Sequence, residues 1–149
     1  MKAIQDLYPP DFAHCFGCGP SNPAGHQLKS FIQGNDVIAR FTPSPHHMSV
    51  PGFVYGGLLA SLVDCHAMAT AASAEMTDES APRFVTAALH VDYLKPTPLG
   101  PELEIVGRIK ERSERKAIVT LSVSVSGSVT VRAEVVAVRI PKSMERTSN

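Results

Sequence analysis

One stretch of this sequence places a carboxylate seven residues after a pair of glycines. The stretch reads PGFVYGGLLASLVD over residues 51–64, so Gly56-Gly57 precedes Asp64. Two glycines at a helix start let a substrate approach free backbone N–H groups, and the helix dipole there favours a developing negative charge. These are the components of an oxyanion hole. Asp64 would lie about two turns further along an apolar helix, where a charged carboxylate is unfavourable unless it has a partner or a function.

Each half of this pattern also has an ordinary structural explanation. A Gly-Gly pair before a helix is usually only a loop-to-helix junction. An aspartate inside a helix is more often solvent-exposed or a local hydrogen-bond partner than catalytic. The joint spacing of Gly57 and Asp64, rather than either feature alone, favours a functional site.

A long helix must position these residues, and the sequence predicts one. An alanine-rich segment without proline or glycine runs from residue 58 to about residue 77. Apolar residues recur in it at helical spacing: Leu58, Leu59, Leu62, Val63, Ala67 and Ala71.

Strands are predicted on both sides of the helix. Before it, residues 28–33 and 37–42 flank Gly34-Asn35-Asp36 and indicate a hairpin. After it, alternation predicts strands near residues 103–109, 119–125 and 129–140, with a turn in the charged run 110–116. A switch of the apolar face near Val135 predicts a bulge or a change of strand partner there. An earlier strand is expected to carry one apolar face: Val85, Ala87, Leu89, Val91 and Tyr93.

The predicted fold class is α+β, with one long central helix wrapped by a curved antiparallel sheet. We expect a single domain over residues 1–149, with an irregular lead at 1–27, rich in Pro, Gly and Asn, and a flexible tail at 141–149. A sheet of this kind has an exposed edge, which dimerisation commonly covers.

Composition narrows the function classes. The 149 residues include 14 basic and 14 acidic side chains, so no global field attracts nucleic acid or an anionic membrane. The first residues lack the apolar core of a signal peptide, and no stretch reaches the ~20 apolar residues of a membrane helix. Three cysteines are too few for a disulfide scaffold and predict a cytoplasmic protein.

The pair Cys15-x-x-Cys18 raises the question of a metal or redox site. A structural zinc site has four ligands, and the sequence has no second cysteine pair. His14 or Cys65 could contribute only if the fold brought them close. The sequence therefore predicts neither a metal nor an organic cofactor.

Residues 52–64 resemble the signature of the hotdog-fold acyl-CoA thioesterases of the PaaI-like family, in which a His-Gly-Gly turn precedes a helix with an aspartate seven residues after the second glycine. The sequence HVDYLKPTPLG at residues 90–100 resembles the family's strand that ends in Tyr-Leu-x-Pro and a glycine. The sequence CFGCG at residues 15–19, followed by Asn22-Pro23-x-Gly25, resembles the N-terminal lead of one branch.

The resemblance implies a role for each matched position. Asp64 would act as general base on water or as nucleophile, the Gly57 N–H would polarise the thioester carbonyl, and Thr86 would orient water. Tyr55 stands where the family has histidine before Gly56, and Ser49 where some relatives have a site asparagine. Both can still hydrogen-bond to substrate, although a buried packing role for Tyr55 stays open.

The function predicted from these residues is hydrolysis of acyl-CoA thioesters to free acid and CoA. The resemblance also implies a homodimer or a dimer of dimers, because sites in this family form between two subunits. Two alternatives remain: a hotdog module that binds acyl-CoA without hydrolysing it, and a hotdog dehydratase or hydratase. The last is disfavoured because Tyr55 replaces the histidine that precedes the glycines.

Overall fold

The helix predicted after Gly57 lies at the centre of the protein in a computed structural model that describes residues 1–145. Helix α1 spans Gly56–Ser73. The strands are β1 (Ser30–Gln33), β2 (Asp36–Phe41), β3 (Phe84–Tyr93), β4 (Leu103–Arg112), β5 (Lys116–Val125) and β6 (Ser128–Arg139). Short 3-10 turns occur at Ile4–Leu7, Pro10–Phe12 and Lys142–Met144.

All six strands join one antiparallel sheet in the order β1-β2-β4-β5-β6-β3. The sheet curves around α1, whose side chains are buried on most of the helix surface because they pack against the concave face. That face is built from alternate residues of the three central strands, such as Ile105, Val119 and Val135, which are fully buried. The predicted α+β hotdog architecture is confirmed.

A buried polar network fastens α1 to the first two strands. The His66 Nε2–H donates to the Val37 carbonyl at 2.9 Å, and the other ring nitrogen accepts from the Ser30 hydroxyl at 2.8 Å. The Gln5 side chain in turn donates to the Ser30 hydroxyl at 2.8 Å and accepts from the Ser30 N–H. Every member is satisfied with a neutral imidazole, and burial lowers the pKa of His66 to about 4.

Two of the predicted strand details are wrong. The charged run 110–116 is not all turn, because β4 continues to Arg112 and β5 begins at Lys116. Neither a bulge of β6 nor a change of partner occurs at Val135: β6 pairs with β5 and β3 on both sides of this residue, and its buried face continues through Ala137. Strand β6 instead breaks register opposite Val123 and Ser124. The apolar residues Val136 and Val138, which suggested the change of face, lie on the convex side of the sheet.

The ends of the chain differ in how they pack. Although irregular, the lead is part of the core, since Ile4, Leu7 and Cys18 are buried. In the expected flexible tail, Lys142–Met144 forms the last 3-10 turn, while residues 146–149 lie outside the described residues. Within the described chain, no helix has the length and apolar character needed to cross a membrane.

Candidate active site

The carboxylate of Asp64 is half-buried and accepts a hydrogen bond from the Thr86 hydroxyl. Asp64 lies on α1, and Thr86 lies on β3 at the edge of the sheet. Thr86 is opposite Ala137, a buried residue of β6, so its side chain points to the concave face where the helix lies. The fold therefore brings together two of the predicted catalytic residues that are far apart in sequence.

A β-bulge explains how Thr86 reaches the helix. The register between β3 and β6 shifts between Thr86 and Ala88, which leaves Ala87 without a direct partner. Leu89 is then opposite Val135 on the concave face, three residues after Thr86 rather than two or four. The predicted single face from Val85 to Tyr93 is wrong for this reason.

The bulge also separates His90 from the candidate site. His90 does not share a face with Thr86, as simple alternation suggested, because residues beyond Ala87 change sides. Its ring lies 3.1 Å from the exposed Asp92 carboxylate. This local pair lies on the convex side of the sheet, away from Asp64.

The start of α1 presents backbone donors. Within residues 1–145, neither the Gly56 N–H nor the Gly57 N–H donates a hydrogen bond, and Tyr55 provides no side-chain cap. The next two N–H groups, of Leu58 and Leu59, both donate to the Tyr55 carbonyl, at 3.1 and 3.4 Å. The two glycine N–H groups are thus the unsatisfied donors that the oxyanion-hole prediction requires.

Two tyrosines flank these glycines. A Cβ atom at Gly57 would lie 2.4 Å from a ring carbon of Tyr55, so a side chain at this position would displace the ring. The Tyr55 side chain is 57% exposed, so the alternative of a buried packing role is wrong. The Tyr93 hydroxyl donates to the Gly56 carbonyl at 2.7 Å. Burial, aided by neighbouring Tyr55, raises the pKa of Tyr93, which keeps it a donor at neutral pH.

A groove of about 520 Å³ opens beside the helix start. Its lining is mainly apolar and includes Gly56 and Phe53, with Ser49, Lys95 and Thr97 among its polar members. Ser49 is exposed, and its N–H donates to the Phe53 carbonyl at 3.0 Å, which closes the turn that forms one wall. The sequence did not predict the hydrogen bond from Tyr93 to Gly56, because no local pattern shows which residue a tyrosine at the end of a strand will contact.

Exposed apolar side chains concentrate near this groove and along β3. Among residues 1–145, ten large hydrophobic residues are exposed, and seven of them belong to the loop before α1 or to β3 and the residue after it: Met48, Val50, Phe53, Tyr55, Leu89, Tyr93 and Leu94. Apolar surface concentrated in this way marks a binding or association surface.

Comparisons with known proteins agree with this geometry. The sequence model of the thioesterase superfamily matches residues 51–132, which include the glycine pair, Asp64 and Thr86. A thioesterase superfamily protein of Shewanella loihica PV-4 is 45% identical to this chain, and the match covers 88% of this chain and 97% of the other, with a TM-score of 0.69.

Two more distant similarities place the chain in the same structural group. The E. coli PaaI protein from the phenylacetic acid degradation operon is 14% identical, with 78% and 81% of the two chains covered and a TM-score of 0.67, which shows a common fold. A Rattus norvegicus protein, acyl-coenzyme A thioesterase THEM4, is 27% identical over 104 residues. That match covers 70% of this chain but only 42% of the rat protein's length.

Proposed function

Because this chain belongs to the thioesterase superfamily, we propose that it hydrolyses acyl-CoA thioesters to a free acid and CoA. Membership supports thioester hydrolysis in general. The observation that carries the proposal is the placement of Asp64, held by Thr86, on the same helix whose first two N–H groups have no partner among the described residues. The name of the rat relative supports acyl-CoA as the substrate class.

The proposed chemistry uses the first turn of α1 and Asp64, which lies about two turns further along the helix. The Gly57 N–H donates to the thioester carbonyl oxygen and stabilises the negative charge that develops there. Asp64 either takes a proton from water, whose oxygen attacks the carbonyl carbon, or attacks that carbon itself to form a mixed anhydride. In the first route the C–S bond breaks as the acid forms, and the CoA thiolate takes the proton held by Asp64. In the second route the C–S bond breaks as the anhydride forms, and water then hydrolyses the anhydride to the free acid and protonated Asp64, whose proton passes to the CoA thiolate. Both routes regenerate the carboxylate.

Thr86 has a defined place in this scheme. Since its hydroxyl donates to Asp64, the lone pairs of the same oxygen remain available to accept a hydrogen bond from water. Thr86 would therefore fix the carboxylate and orient the attacking water. Gly56, Tyr55 and Ser49, which surround the helix start, would bind the substrate.

Self-association is part of the proposal. Strand β3 is an edge strand of ten residues, and most of its side chains are exposed. An unprotected long edge next to an apolar groove favours pairing with a second copy, which would also shield the thioester from bulk water. A homodimer through β3, alone or paired into a tetramer, accounts for both features. The three free thiols are consistent with a cytoplasmic location.

One observation favours a second function. The Tyr55 ring lies against Gly57, with a ring carbon 2.4 Å from the position of a Cβ atom there, close to the N–H that would have to receive a carbonyl oxygen. If this ring does not move, the helix start cannot polarise a thioester. The chain would then be a non-catalytic acyl-CoA-binding module.

The deciding experiment follows thiol release from short, medium, long and aryl acyl-CoAs with a chromogenic thiol reagent. We expect release by the wild type and a loss of at least about 100-fold in Asp64→Asn, a near-isosteric change that removes the charge. Circular dichroism and thermal unfolding check that the variant is folded. Saturable acyl-CoA binding without thiol release by the wild type would establish the binding module instead, and full activity of Asp64→Asn would refute the role of Asp64.

A further inference from the structure

Three cysteines from distant parts of the sequence meet where the lead packs against α1. The sulfur atoms of Cys15, Cys18 and Cys65 all lie within 4.8 Å of one another. Cys15 and Cys65 are in contact, with 3.7 Å between the two sulfurs. Cys18 and Cys65 are buried and Cys15 is half-buried, so the cluster has one side towards solvent. The proposed thioester chemistry does not use any of the three.

The turn that carries Cys15 and Cys18 is shaped around the third sulfur. The Gly19 N–H donates to the Cys15 carbonyl at 2.7 Å, which closes the turn. A Cβ atom at Gly17 would lie 2.2 Å from the Cys65 sulfur, so glycine is required for the turn to approach the helix this closely.

A second observation is the pair Arg83 and Tyr8 beside the cluster. The Arg83 guanidinium lies over the Tyr8 ring, 4.9 Å from its centre. The Tyr8 hydroxyl and one Arg83 nitrogen are buried without a hydrogen-bond partner, and no carboxylate in the described chain pairs with Arg83. Arg83 is half-buried with one guanidinium nitrogen fully buried, and such a charge costs free energy unless negative charge lies nearby, which the three cysteines can supply as thiolates.

We propose that Cys15, Cys18 and Cys65 bind one thiophilic metal ion, with Zn²⁺ as the ion that fits best. Zinc–sulfur bonds of about 2.3 Å place tetrahedral ligand sulfurs roughly 3.8 Å apart, close to the separation of Cys15 and Cys65. A disulfide would need a sulfur–sulfur distance of about 2.05 Å, much shorter than the distance between these two sulfurs. The spacing Cys15-x-x-Cys18 is that of a zinc-chelating pair, and water reaching the exposed side of Cys15 completes the coordination.

Charge balance supports the same assignment. Three thiolates and one Zn²⁺ carry a net charge of −1, which the half-buried guanidinium of Arg83 would neutralise. The sequence argument against a metal rested on a shortage of ligands, and the fold reduces that shortage by bringing Cys65 to the cysteine pair. The ion would clamp the lead onto α1 at the residue after Asp64. This inference is independent of whether the chain hydrolyses thioesters.

The test uses the full-length chain, reduced and purified without a polyhistidine tag, and Co²⁺ as the optical probe. We expect one equivalent of Co²⁺ to bind with a thiolate-to-cobalt charge-transfer absorption, and one equivalent of Zn²⁺ to abolish that band. Cys15→Ser, at the half-exposed ligand, should weaken binding on the order of tenfold or more. His14→Ala, which removes an exposed neighbour outside the cluster, should bind like the wild type.

A thermal unfolding measurement covers the case in which a cysteine variant folds poorly. Zn²⁺ should raise the midpoint of the wild type and of His14→Ala but not that of Cys15→Ser, because binding to the native state stabilises it. Three reactive thiols in the reduced wild type, with no charge-transfer band and no shift of the midpoint, would overturn the proposal. A disulfide formed on air oxidation by a reduced protein that binds no metal would assign a redox pair instead and would also overturn it.

Discussion

At the scale of single residues, Asp64 gains its proposed reactivity from one neighbour. The carboxylate is half-buried, and its partner among the described residues is the Thr86 hydroxyl. A hydrogen bond to a charged group contributes about 1.5–3 kcal/mol, which corresponds to roughly 10- to 100-fold in rate if the contact is maintained in the transition state. A substitution at Thr86 that removes only the hydroxyl therefore tests whether this hydrogen bond contributes to turnover.

We expect Thr86→Val to lower kcat by roughly 10- to 100-fold with little change in KM, because valine keeps the shape but loses the hydroxyl. Thr86→Ser keeps the hydroxyl and should stay within a few-fold of the wild type. Steady-state thiol release on the best acyl-CoA measures both. An unchanged kcat in Thr86→Val would mean that the contact with Asp64 has no part in turnover. Since Thr86 is exposed, both variants are expected to fold.

At the scale of elements, sequence periodicity predicted the regular helix and strands but not the irregular bulge or the packing of the N-terminal lead. Helix α1 and the central strands follow from their apolar spacing, whereas the candidate role of Asp64 came from its spacing to Gly57 and from the resemblance to the thioesterase family. The bulge at Ala87 was not predicted, because alanine fits either face of a strand and its position depends on pairing with β6. The approach of Cys65 to Cys15 depends on how the lead folds back, which no local pattern encodes.

The network around His66 makes the attachment of α1 to β1 and β2 dependent on pH. The folded-state pKa of about 4 is lower than the ordinary value of 6.5, so the unfolded chain takes up this proton first as pH falls. The contribution of neutral His66 to the free energy of unfolding is complete above pH 6.5. As the pH falls towards 4, this contribution is lost, by up to about 3 kcal/mol.

Urea unfolding at several pH values between 7 and 4 tests this, with His66→Gln as the matched variant. Glutamine can still hydrogen-bond but does not titrate, so the variant should be less stable than the wild type at pH 7 and should lose less stability on acidification. Other groups titrate equally in both proteins and cancel in the difference. Parallel pH profiles for the two proteins would show that His66 takes up its proton in the folded state as readily as in the unfolded chain.

At the scale of the whole molecule, the candidate site lies at the boundary of the chain rather than inside it. Asp64 meets Thr86 on the edge strand, and the groove at the helix start opens among exposed apolar residues. Such a site excludes water only when another surface covers it. The proposed function and the proposed pairing of β3 edges are therefore linked.

This link predicts that one charge on the edge removes both association and activity. Leu89, on the concave side of β3, is 42% exposed, and Leu89→Lys would place an ammonium group where a second copy should pack. We expect the wild type to elute with at least twice the mass of one chain in size-exclusion chromatography with light scattering. Leu89→Lys should elute as a folded monomer with thiol release reduced at least about tenfold.

The control makes the same chemical change on the other side of the sheet. Val106 lies on the convex face of β4, so Val106→Lys should leave the β3 edge intact, and the protein should remain at least dimeric and active. If a dimer of dimers forms through the convex faces, this variant alone should reduce a tetramer to a dimer. A wild type that is monomeric and fully active would separate catalysis from association, because the single chain would then have to shield the thioester with its own loop before α1.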